Sequence, residues 1–182
     1  ARSTFYQREW TKGDEEDQEG RIISRLELWR APADGAFRAD SAFSFQQLWT
    51  QFKDATFAER IQGNVTYRVL RFPASKGRQW DGNALNNEDE QLYRYTTLDT
   101  SLQVGPYRFD SAAVVLQEQS FSELRDASFY EAYVPGVGKV KRSARNIEFR
   151  LVTDPEDGSV APELLTTSFL YNEVLVDHNY DR

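Results

Sequence analysis

Cysteine and methionine are absent from the 182-residue chain, and histidine occurs once, as His178. Without cysteine there is no disulfide, no thiolate nucleophile and no Cys-based zinc site. A single histidine removes His-pair metal sites as well. No stretch approaches the roughly 18 apolar residues of a membrane-spanning helix; the longest clear run, Ala112–Leu116, suits a buried strand. An excess of basic charge is also missing, since 29 acidic residues face 22 basic ones for a net charge of −7. That balance argues against a protein that grips nucleic acid through a basic surface. A chain that starts at Ala1 with no methionine reads as processed, or as a fragment of something longer.

What is present is apolar and aromatic. Hydrophobic residues make up 40% of the chain, with 4 Trp, 9 Tyr and 12 Phe, too many for a disordered polymer. They recur with period two. Ile22, Leu26 and Leu28 alternate with Arg21, Arg25 and Glu27, and Val65, Tyr67 and Val69 alternate with Thr66 and Arg68. Ile147, Phe149 and Leu151 alternate with Asn146, Glu148 and Arg150, and Leu170, Val174 and Val176 face opposite to Tyr171, Glu173 and Asp177. Such alternation marks half-buried strands with one wet face, as in antiparallel sheets.

Turn residues separate the runs: Asp14 through Gly20, Asp34-Gly35, Asp81-Gly82-Asn83, and Asp154 through Gly158. The last joins Asn146–Val152 to Val160–Val176 as a hairpin. Helical signals are few. Phe121–Asp126 has room for one turn, and Ser44–Lys53 reads equally as a short helix or a strand. The expectation is one all-β domain over 1–182, an antiparallel sandwich or half-open barrel of about nine or ten strands.

Candidate chemistry is sparse. Gly136-Val137-Gly138-Lys139 has the look of a phosphate loop, but Tyr133 stands where the first glycine is needed and Val140 where Ser or Thr is needed. Gly136 and Gly138 therefore read as a tight structural turn. Asp14–Gly20, Asn86–Glu90 and Asp154–Asp157 cluster oxygen ligands. In the first, Leu26 falls where a calcium loop needs its bidentate Glu, so solvated loops are expected and neither metal nor cofactor is assigned. Asp177 and His178 are adjacent, and on a strand adjacent side chains point apart, which spoils a triad arm. No catalytic residue is assigned.

Several segments resemble a family of uncharacterised exported lipoproteins of Bacteroidota. They are Ser3–Glu9, Asp17–Arg30, Val69–Pro73 with Gly77–Asn83, and Phe129–Val140, the last similar to a Y-A-x-G-V-G-x-V signature. The resemblance spans most of the chain. It implies an export signal and a lipidated cysteine upstream of residue 1, and an additional N-terminal strand there. It further implies residence in the periplasm or at the cell surface, associated with the outer membrane. Asp40-Ser41-Ala42 and Asp110-Ser111-Ala112 look like the O-glycosylation sequon of such proteins, which makes Ser41 and Ser111 candidate modification sites.

These readings lead to a non-enzymatic accessory or binding domain. It would be held at the membrane only by the upstream lipid and would dock on a larger envelope or outer-membrane protein, with no nucleic-acid partner. Such a domain should carry an apolar patch outside its core. The alternative is a carrier of lipid or another apolar ligand in a half-open barrel. A hydrolase built on scattered carboxylates ranks third.

Overall fold

The computed structural model describes residues 5–32, 43–165 and 167–175. Among them there are twelve strands and no helix, in two antiparallel sheets with no closed barrel. The all-β, antiparallel class read from the sequence holds. The chain divides into two compact units, Ala1–Pro73 with Gly82–Glu90, and Ala74–Asp81 with Gln91–Arg182.

The first unit carries a five-stranded meander: β1 (Phe5–Glu16), β2 (Ile22–Pro32), β3 (Ser44–Lys53), β4 (Phe57–Gln62) and β5 (Val65–Arg71). The register aligns Leu26 with Trp49, and these two with Leu28 form a buried cluster. The guanidinium of Arg60, itself buried, lies 5.5 Å from the Trp49 ring. Ser44–Lys53, ambiguous in sequence, is strand β3, because its Trp49 is taken up by the β2 partner. Two aspartates close the turns. Asp17 accepts the backbone N–H groups of Glu19 and Arg21 and the Arg21 Nε–H. Asp54 accepts from the Thr56 and Phe57 N–H groups and from the Thr56 hydroxyl.

The second unit is a seven-stranded sheet: β6 (Gln79–Asp81), β7 (Leu92–Val104), β8 (Tyr107–Phe121), β9 (Arg125–Val134), β10 (Gly138–Thr153), β11 (Val160–Leu164) and β12 (Phe169–Val174). The order runs β6-β7-β8-β9-β10-β11, with β12 also pairing with β10. The expected hairpin at Asp154–Gly158 is present, but its return run is split. Residues Val160–Leu164 pair with Phe149–Thr153 and residues Phe169–Val174 with Lys141–Asn146. Between the two, Ser168 donates its hydroxyl to the Glu148 carbonyl and Leu165 its N–H to the same oxygen. This break, and the three-residue β6, account for a strand count above the nine or ten expected.

No helical turn forms at Phe121–Asp126. Ser122 Oγ accepts the N–H groups of Leu124 and Arg125 instead, a side-chain turn that competes with helix and closes the β8–β9 hairpin. Near the β7–β8 and β9–β10 turns, Val104, Ala112, Ala132, Val134 and Val140 are buried together with Leu175 against them. A Cβ added at Gly105, whose φ is +54°, would sit 3.0 Å from the Leu175 carbonyl oxygen. Only glycine fits both that backbone and that space.

Candidate functional site

Cross-strand partners share a sheet face, so the register sorts the side chains of the second unit onto two faces. One face is polar and aromatic. Tyr95, Val115, Glu131, Arg142 and Glu173 follow one another across β7, β8, β9, β10 and β12. Glu131 is fully buried; its carboxylate accepts the Tyr133 hydroxyl and lies 3.6 Å from Arg142 Nε. Glu173 pairs with Lys139 Nζ at 2.9 Å and accepts the Tyr171 hydroxyl at 2.9 Å. Farther along the same face, Phe129 stacks on Phe169 at 6.1 Å. There Arg125 pairs with Glu118 and Glu148, and Asn146 donates to Glu148. The hydrogen bonds from Asn146, first, and from Thr167 hold the Glu148 carboxyl below its ordinary pKa. From β8 through β9 and β10 to β12, each strand is tied to the next by charged groups.

The other face is different at the β10–β11–β12 edge. Here Phe149 of β10 lies opposite Leu164 of β11, Leu151 opposite Pro162 and Thr153 opposite Val160, while farther back along β10 Leu170 and Val174 of β12 stand opposite Arg145 and Lys141, with Asn172 opposite Ser143 between them. Phe121 joins them from β8 through the Phe121–Asp126–Ile147 row. The period-two pattern of these segments was legible in sequence, but the expected burial is not realised. Leu151 is 60% exposed, Val160 58%, Leu164 56%, Leu170 67%, Val174 46% and Phe121 86%. By contrast Leu28, on β2, is 2% exposed. For Leu151, Val160 and Leu164 the physical reason is the reach of the strands, whereas Leu170 and Val174 lie on β12, whose pairing among the described residues is with β10 alone. The pairing of β9 with β10 begins at Arg125 opposite Glu148, so residues 149–153 and β11 run past the sheet as a two-stranded arm.

With a large side chain counted at roughly 150–200 Å², the three arm residues Leu151, Val160 and Leu164 together expose on the order of 300 Å². That falls in the range of the largest apolar patch on a monomer, which is often functional. The outer rim of the arm resists pairing. Pro162 lies opposite Leu151 at a position whose amide points away from β10, where a missing N–H blunts an edge.

The residues singled out in the sequence fall elsewhere. Gly136 and Gly138, with φ of +77° and +96°, form the β9–β10 turn, where Val137 N–H donates to the Val134 carbonyl. Lys139 after them turns to Glu173 rather than to an open loop. Ser111, on β8, donates its hydroxyl to Asp99 at 2.9 Å; Ser41, Asp177 and His178 lie outside the described residues. The acidic runs serve their own turns, Asp154 accepting the N–H of Glu156 and Asp157 that of Ser159. Among the described residues no three His, Cys, Asp or Glu side chains converge as metal ligands. Nor, among the described residues, is any helix long and apolar enough to cross a membrane. One groove on the sheet, lined by Gln79, Leu92, Arg94, Leu116, Glu118 and Gln119, is open to solvent and carries two charged side chains.

Comparison with protein families, curated proteins and solved structures finds no match to this chain.

Proposed function

We propose that this chain is a non-enzymatic binding domain of an exported, lipid-anchored envelope protein, and that it docks on a larger envelope or outer-membrane protein. One observation carries the reading: a row of aliphatic side chains alternates correctly for burial on β10, β11 and β12 yet stands in solvent. Exposed apolar surface costs solubility, and the largest apolar patch on a monomer is often functional. The densest polar cluster, around Glu131 and Glu173, supports binding over catalysis, because its carboxylates are engaged with Tyr133, Arg142, Lys139 and Tyr171 across three strands. Such cross-bracing suits a rigid platform. A carrier of apolar ligands finds less support from the groove described above, where Gln79, Arg94, Glu118 and Gln119 accompany Leu92 and Leu116, unlike the apolar enclosure a lipid needs.

The test is site-specific photo-crosslinking in the native envelope, with the reactive group at Leu170 or Leu151 and, as control, at Arg142 on the opposite face. Docking gives one larger crosslinked envelope protein from the first two positions and none from the third. Equal or absent crosslinking from all three removes the reading.

A further inference from the structure

We infer that the partner surface received by the β10–β11–β12 face is itself protein, apolar at its centre and edged with lysine or arginine. This rests on the docking reading above and adds the chemistry of what docks. The evidence is the charge around the open face. Each arginine near it is already held by an acid: Arg150 by Glu163 at 2.6 Å, Arg145 by Asp126 at 2.6 Å, and Arg125 by Glu118 at 2.6 Å. Lys141, at the far end beside Val174, leans on the Tyr130 ring. Among the described residues the acids at the open end have no such cation. Asp154, Glu156 and Asp157 in the β10–β11 turn and Glu123 in the β8–β9 turn are exposed. Asp154 accepts the Glu156 N–H, and Asp157 accepts from Ser159, whose hydroxyl, first, and N–H lower the Asp157 pKa. The open end of the apolar face, around Leu151, Val160 and Leu164, is therefore bordered by unbalanced negative charge.

That border discriminates among occupants. A second copy of the chain, related by a two-fold axis, would bring the acidic rim against itself or leave it outside the contact, with no attraction from it. An anionic bilayer would be repelled by the same rim. A protein surface with an apolar centre and a basic edge gains from both components, and the charge steers its approach.

The test uses the full chain and alternating peptide probes, one of Leu and Lys and one of Leu and Glu, titrated at two salt concentrations. The Leu-Lys peptide is expected to bind, with the contact mapped by amide hydrogen exchange to β10, β11 and β12. Affinity should fall at least tenfold in L151T/L164T/L170T. It should also fall about tenfold, with a shallower salt dependence, in D154N/E156Q/D157N. D14N/E15Q/E16Q, which neutralises the acidic end of β1, should bind unchanged. Equal binding of the Leu-Glu peptide, loss of affinity in the β1 variant, self-association through this face, or capture by vesicles of anionic phospholipid would overturn the inference. The two claims fail separately. If crosslinking at Leu170 finds a partner but the peptides show no preference for Lys, docking stands and the basic edge falls. If the preference holds but no partner is crosslinked, docking falls.

Discussion

Replacing the exposed leucines of the second unit by threonine probes the account at its base. Burying a leucine fully contributes about 1.5–3 kcal/mol. Leu170 is 67% exposed, Leu151 60% and Leu164 56%, so each retains only a third to somewhat under half of that, about 0.5–1.3 kcal/mol. Threonine keeps the strand preference, which offsets part of the loss. Each of L151T, L164T and L170T is thus expected to cost about 1 kcal/mol or less. L28A, at a position 2% exposed, should cost about 2–5 kcal/mol. Because Trp80 is the single tryptophan of the second unit, urea unfolding of 5-fluorotryptophan-labelled protein, followed by fluorine NMR at Trp80, reads that unit's stability directly. A loss of 2 kcal/mol or more in each threonine variant would mean that the face is packed against something, and the reasoning from exposure would be refuted.

Three other outcomes follow from the structure. Gly105→Ala should destabilise the second unit by about 1–3 kcal/mol, more than Gly158→Ala, because only at Gly105 does a new Cβ meet a backbone oxygen as well as a positive φ; thermal unfolding of the two variants checks the order. Tyr133→Phe removes a hydroxyl donor from the buried Glu131 carboxylate and should cost about 1.5–3 kcal/mol by urea titration. The third outcome concerns pH. Hydrogen bonds, first from the Thr56 hydroxyl, lower the Asp54 pKa, and the Arg21 N–H lowers that of Asp17. A carboxyl depressed in the folded state adds stability above its unfolded pKa, near 4, and loses it as pH falls through the folded value. Stability should therefore drop on acidification below about pH 4, and D54N and D17N should flatten that limb; a limb of unchanged steepness in both variants would contradict the assignment.

The all-β class was legible because period-two alternation survives in nearly every strand, whatever covers it. What alternation does not report is whether a cover exists. The patterns around Leu26 and Leu28 and around Leu151 and Leu170 are of one kind, yet the first pair is buried and the second bare. For Leu151 the difference lies in how far β10 outruns β9, and for Leu170 in the edge position of β12; both are properties of pairing between distant segments. The polar face was equally hidden. Glu131, Arg142 and Glu173 are separated by 10 residues or more in sequence and meet only because three strands align them. Ser122 left a local signal, since a serine ahead of the β9 strand has the chemistry of a side-chain turn, and the apolar spacing of Phe121 and Leu124 obscured it.

The central claim, that the folded chain holds an aliphatic face open for a partner, is tested most directly by solvent relaxation of leucine and valine methyl groups with a soluble paramagnetic agent. The methyls of Leu151, Val160, Leu164 and Leu170 should relax strongly, while those of Leu28, Val104 and Val115 stay protected. Equal protection of both sets would contradict it.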